Sequence, residues 1–209
     1  MSKHIANLIL QGEHQQLDFK HSISDSKKIA RSLAAFANTD GGTLLIGVKD
    51  NGNISGVNSE EEYYMLEGAA KMYCKPEVKF TVTRWDINGK VVLEVKVKHD
   101  PKNLYKAPDK NGQWKVFFRD DDENILASPL QVKVWNAIRY RKSIRLKLTH
   151  KEDMLMKYLQ QHKQITIDQY SRIGFLSNRE AEETLINLVV MGIVEMKVSN
   201  EEEKFVLKI

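Results

Sequence analysis

The chain has 209 residues, 42% of them apolar and 29% charged, with a formal net charge of +4 and a pI near 9.0. That balance belongs to a globular protein with a core to bury, and it argues against disorder and against a coiled coil. The longest apolar stretch, 185–194, contains Asn187 and falls well short of the ~18 residues that span a bilayer. The first thirty residues carry no basic segment followed by an apolar core and a small-residue cleavage site, so export is not expected. One cysteine, Cys74, makes neither an internal disulfide nor a Cys-rich zinc site. A cytoplasmic location with no membrane partner is the expectation.

In chain order, residues 5–10 read as a short helix ended by Gly12. Residues 16–20 alternate polar and apolar, which predicts a half-buried strand with Leu17 and Phe19 inward and Asp18 and Lys20 on the other face. Ser24 or Ser26 is placed to cap a helix running to about Asn38, broken by Thr39-Asp40-Gly41-Gly42. Residues 43–48 read as a buried strand closed by the turn Asp50-Asn51-Gly52. A helix over 60–72 follows, then strands at 78–84 and 91–97 around Asn88-Gly89, and another at 114–119. Pro129 suits the first turn of a helix towards Ile138. Strands and helices mix without regular alternation, so this half is α+β.

The sequence changes character near residue 139. Arg139, Arg141, Lys142, Arg145, Lys147 and Lys151 put six cations into thirteen positions with no acid. Such a run is a solvated linker or a phosphate-contacting segment. Beyond it, 151–161, 167–173 and 178–191 read as helices, with Thr149 and Ser177 as caps and Gly174 ending the second. Strands at 193–198 and 205–209 around Ser199-Asn200 complete the plan of a winged helix. The expected organisation is a first domain over 1–138, a basic linker over 139–150 and a small winged-helix domain over 151–209.

Neither common glycine-rich phosphate loop is present, nor a zinc-protease or hydrolase-elbow motif. What remains is a set of acids, Glu13, Asp18 and Asp50, with Lys20 beside them. Converging carboxylates hold Mg²⁺ or Mn²⁺, and such a metal activates water against a phosphodiester. The spacing of Glu13 and Asp18 puts them on opposite faces of an uninterrupted strand, so they converge only if the chain turns between them. Asp50 also has the simpler task of opening its turn. Asn38, Gly41 and Gly42 either stop a helix or form an amide concavity for phosphate.

The strings GEHQQLDFK and SLAAFANTDGGTLLIGVKDNGNISGV, with the later VFFRDDDENILAS, resemble the Schlafen AlbA-type domain over roughly residues 5–130. The resemblance implies a mixed α/β nucleic-acid-binding domain. In the nuclease branch of that family it further implies three metal-binding acids that cut RNA, falling here on Glu13, Asp18 and Asp50, with Lys20 in the accompanying basic position. Asp18 stands where that branch commonly has Glu. Members with a helix-turn-helix tail resemble regulators.

The reading that follows is a bacterial transcriptional regulator that binds nucleic acid, DNA before RNA. Its contacts would come from Lys20, from Arg139, Arg141, Lys142, Arg145 and Lys147, and from Asn178 and Arg179 at the start of a recognition helix. Glu180, Glu182 and Glu183 in the same turns are poor chemistry for phosphate, which keeps a protein-interaction module in play. A homodimer is expected, since half-site recognition uses two-fold symmetry. The alternative is an endoribonuclease dependent on Mg²⁺ or Mn²⁺ that uses the three acids.

Overall fold

The structure, a computed structural model, describes residues 3–140, 149–199 and 202–208. It divides into two compact units, Met1–Ala127 and Ser128–Ile209. The fold is α+β, as expected.

The first unit opens with α1 (Lys3–Gln11), β1 (Leu17–Lys20), α2 (Ser26–Asn38), β2 (Gly42–Ile46) and α3 (Ser59–Met72). It continues through β3 (Phe80–Ile87), β4 (Lys90–Val97), β5 (Lys106–Pro108), β6 (Trp114–Asp120) and β7 (Glu123–Leu126). One sheet has the order β1-β2-β4-β3, parallel only between β1 and β2, and a second has the order β5-β6-β7. The period-2 alternation sorts the main sheet into two faces. Leu44, Ile46, Leu93, Val95 and Val97 pack with α2 and α3, while Leu17, Phe19, Leu45 and Val92 pack with Ile5 of α1.

Helix α2 is capped by Asp25, not by Ser24 or Ser26. Its carboxylate accepts from Lys27 N–H at 2.8 Å and Lys28 N–H at 3.4 Å, a geometry that Ser26, already inside the helix, cannot supply. At the other end Gly41 adopts φ +71°, and a Cβ there would stand 2.8 Å from Val97 O. Only glycine fits that approach.

The second unit holds α4 (Pro129–Arg139), α5 (His150–His162), β8 (Gln164–Ile165), α6 (Ile167–Gly174), α7 (Asn178–Val190), β9 (Val194–Ser199) and β10 (Glu202–Leu207). Its sheet runs β8-β10-β9, all antiparallel. Leu155, Leu159, Tyr170, Leu185, Leu188 and Phe205 form its core, and Leu130 and Val134 of α4 join them. The division therefore falls earlier than residue 138, because the apolar face of α4 is buried in the second core. Thr149 and Ser177 cap α5 and α7 as expected. Gly174, expected to end its helix, is instead the last residue of α6, and Phe175 takes the left-handed position at φ 49°. Residues 141–148, with Arg141, Lys142, Arg145 and Lys147, lie outside the described residues, as do Asn200 of the expected hairpin turn and Ile209 at its far end.

Asn38 is buried and ties the end of α2 to the second sheet of the first unit. Its Nδ2 donates to Tyr105 O and Phe117 O, both at 2.9 Å, and its Oδ1 accepts from Tyr105 N–H at 2.7 Å. Asn38→Ala strands these backbone groups and is expected to cost about 2–4 kcal/mol in urea denaturation. Asn38→Asp, which sets a buried carboxylate oxygen against the carbonyls of Tyr105 and Phe117, should cost at least as much.

Candidate functional site

Before β1 the chain doubles back. His14 N–H donates to Leu17 O at 2.9 Å and Leu17 N–H to His14 O at 3.0 Å. That turn brings Glu13 alongside the strand, where its Oε1 accepts from Phe19 N–H at 2.8 Å. Lys20 Nζ lies 2.9 Å from Asp18 Oδ1 and 3.9 Å from Glu13 Oε1, and it donates to Phe19 O at 2.6 Å.

Asp18 is buried on the α2 face. Arg119 Nη2 stands 3.6 Å from Asp18 Oδ1 and donates to Leu17 O at 3.2 Å and His14 O at 3.3 Å. Ser32 Oγ of α2 donates to Asp18 Oδ2 at 3.5 Å and accepts from Asn124 Nδ2 at 2.9 Å. Burial raises the Glu13 carboxyl above the ordinary glutamate range. The hydrogen bond and charge of Asp18 add to the rise, against Phe19 N–H and the Lys20 ammonium.

These contacts also close the edge of the sheet. The ladder to β2 uses Gln16 O, which accepts from Thr43 N–H, and Lys20 O, which accepts from Gly47 N–H, both at 2.8 Å. Leu17 and Phe19 therefore turn their backbone groups outward, and each of those four groups has a partner: His14 twice, Arg119, Glu13 and Lys20 between them.

Asp50 does not join Glu13 and Asp18. It is exposed in the turn that Gly52 N–H closes on Lys49 O at 2.7 Å, beyond the end of β2. Among the described residues no three His, Cys, Asp or Glu side chains gather as a metal-holding group. The structure thus brings together Glu13, Asp18 and Lys20 and leaves the third acid apart. Arg119, Ser32 and Asn124 complete the cluster; Arg119 directly follows the apolar run Val116–Phe118 but, like the other two, carries no sequence signal that places it beside Asp18.

The segment at Asn38, Gly41 and Gly42 spends its polar groups internally. Thr39 N–H and Gly41 N–H both bond to Phe36 O, and Asn38 is committed to the second sheet. A Cβ on Gly42 would meet the Phe36 ring at 2.3 Å, so that glycine answers packing. This is the helix-stop role, with those amides turned away from phosphate.

From Lys20 outward runs a cleft of about 840 Å³ between α2 and the β6–β7 hairpin. It is lined by the cations Lys20, Lys27, Lys28, Arg31 and Lys110, against the carboxylates Asp25, Asp109 and Glu123. Asp25 is spent on its helix cap, and Asp109 accepts from Asn111 N–H at 2.8 Å and Gln113 N–H at 2.9 Å. The second unit has the opposite character. A cleft of about 1040 Å³ there carries Asp168, Glu182, Glu183, Glu202 and Glu203 against Lys133 and Arg179. There Arg179 Nε lies 3.1 Å from Glu183 Oε1, and Asn178 Nδ2 donates to Asp168 Oδ1 at 3.0 Å. Arg139, at the end of α4, lies over the Trp135 and Tyr140 rings.

The model of the family described as Schlafen, AlbA_2, matches residues 13–128, more than half of the chain and nearly all of the first unit. The chain belongs to the Schlafen AlbA_2 family. Within this AlbA_2 region lie Glu13, Asp18, Lys20, Arg119 and the whole basic cleft. Among solved structures, this AlbA_2 protein is similar to the DIP2311 protein of Corynebacterium diphtheriae, with a TM-score of 0.46 and 17% identity over 93% of this chain and 53% of that one. The chain thus spans about half the length of that protein. It is also similar to the N-terminal domain of a RecG-related protein from Nitrosomonas europaea, with a TM-score of 0.40 and 19% identity over 70% of this chain and 95% of that one. Among the described residues of the AlbA_2 protein, no helix is long and apolar enough to cross a membrane.

The acid pair makes a measurable claim. A carboxyl whose folded value is raised favours the folded state at low pH, and that contribution is lost as pH rises through the raised value. Carboxyl NMR should find Glu13 titrating above the ordinary glutamate range. Asp18→Asn should lower the midpoint, and Glu13→Gln, which keeps the acceptor for Phe19, should remove this pH-dependent loss of stability.

Proposed function

We propose that the chain is a nucleic-acid-binding protein of regulatory type, in which the cleft between α2 and the β6–β7 hairpin takes the phosphate backbone. The observation that carries this reading is the charge balance of that cleft: five cations, with two of the three carboxylates already bound to their own backbone. Phosphate contacts of this kind position a duplex or a single strand without reading its bases. The cations at 139–151 add positive charge within the sequence of the second unit. DNA is the favoured ligand and RNA the second.

We read the second unit as a winged helix. Support comes from its helix, short strand, two helices and hairpin, with β8 paired to β10. The start of α7, where Asn178 and Arg179 were expected to read bases, is paired with acids and lined by them. That face suits a basic protein surface better than a phosphate backbone, so nucleic-acid contact is assigned to the first unit.

The endoribonuclease reading is second. It is favoured by Glu13 and Asp18 standing together beside Lys20. The donor set fits Mg²⁺ or Mn²⁺ poorly, because Lys20 and Arg119 already neutralise Asp18 and, among the described residues, no third acid completes the group.

Fluorescence anisotropy with labelled duplex DNA and structured RNA tests both readings. Lys27→Glu with Lys28→Glu should weaken binding by roughly tenfold or more at low salt and flatten the salt dependence. Binding that survives high salt unchanged overturns the cleft. RNA cleavage that needs Mn²⁺, stops with EDTA and is lost in Glu13→Gln makes the protein an enzyme instead.

A further inference from the structure

The main sheet of the first unit has two edges, and they are built differently. The β1 edge is four residues long, with the outward groups of Leu17 and Phe19 engaged by their own chain. The β3 edge is eight residues long. Among the described residues no side chain or loop backbone bonds to the outer edge of β3. Apart from the charges of Arg84 and Asp86, it also lacks the usual protections. Phe80–Ile87 contains no proline and no lysine, and its register against β4 is unbroken from Phe80–Val97 to Ile87–Lys90. Proteins that must stay single blunt such a strand.

The sequence of this edge is complementary to itself. Trp85 and Ile87 face the α1 side of the sheet, while Phe80 and Val82 pack on the α3 side, which alternation makes the side of Arg84 and Asp86 as well. If two copies pair antiparallel about Trp85, Arg84 of each lies directly opposite Asp86 of the other, and Thr83 lies opposite Ile87. Two opposite-charge pairs then flank a cross-strand tryptophan pair. Centring the same pairing on Arg84 would set like charges face to face. Beside the strand, Tyr63 and Tyr64 of α3 are exposed and share a hollow of about 500 Å³ with Val82 and Arg84. Tyrosine and arginine are the residue types enriched at protein interfaces.

We infer that β3 is the dimerisation strand of this protein: it pairs with β3 of a second copy, antiparallel about Trp85, to join the two four-stranded sheets into one of eight. Arg84 and Asp86 set the register, and the tyrosines of α3 cover the pair on one face. The dimer expected from the sequence thus forms through the first unit, and the inference is independent of what the cleft binds.

The test is a charge swap in the full chain, read by sedimentation velocity. Wild type should be dimeric. Arg84→Asp should weaken association by roughly tenfold or more, since it sets acid against Asp86 twice. Arg84→Asp with Asp86→Arg should restore it. Arg84 is exposed, so the single variant should keep the wild-type circular dichroism and melting temperature, whereas Asp86 Oδ1 also accepts from Gly89 N–H at 3.0 Å in the hairpin turn. Arg84→Lys, which keeps the charge, should remain dimeric. A monomeric wild type, a dimer that Arg84→Asp leaves unchanged, or a swap that stays monomeric overturns the inference.

Discussion

The guanidinium of Arg119 is almost fully buried, and a charge in that position survives only among oxygens. It finds them on three pieces of chain: the carbonyls of His14 and Leu17, the carboxylate of Asp18 and the side chain of Asn124. The Phe36 ring lies 5.1 Å from it. One side chain thus ties the turn before β1, the strand itself and the β6–β7 hairpin to α2. The basic cleft inherits its shape from that tie, since its walls are α2 and the hairpin and its inner end is Lys20.

Much of this was legible in the sequence. The alternation at 16–20, the apolar run after Gly42 and the Asn-Gly hairpin each became a strand, because period and turn chemistry act locally. The short strands β5, β7 and β8 were not legible. Each exists because a partner strand, distant in sequence or supplied by a turn, gives it a ladder, and none has enough residues to show a period. The placement of α4 was missed for a related reason: its amphipathic pattern states that one face is buried but not in which core.

The site was legible in its residues and not in its arrangement. Glu13, Asp18 and Lys20 were each singled out, and the condition for their meeting, a turn between residues 13 and 18, is satisfied by the His14–Leu17 pair of bonds. Asp50 shares their sequence neighbourhood yet ends in a separate turn, because β2 carries the chain past Lys20 before it bends. The basic cleft went unseen because Lys27, Lys28 and Arg31 read as an ordinary helix face, and Lys110 is far away in sequence. Only the packing of α2 against the second sheet makes them neighbours.

The closed edge of β1 limits which loops of the protein tolerate a change of length. Surface connections ordinarily accept insertions at little thermodynamic cost. The stretch between Gly12 and Leu17 is exposed enough to look like one of them. Its backbone, however, supplies partners to Leu17, and Glu13 must arrive level with Phe19. One added residue would shift that carboxylate out of reach and leave the Phe19 amide bare beside a flat strand. Length in this short loop is therefore held as tightly as sequence is in the core.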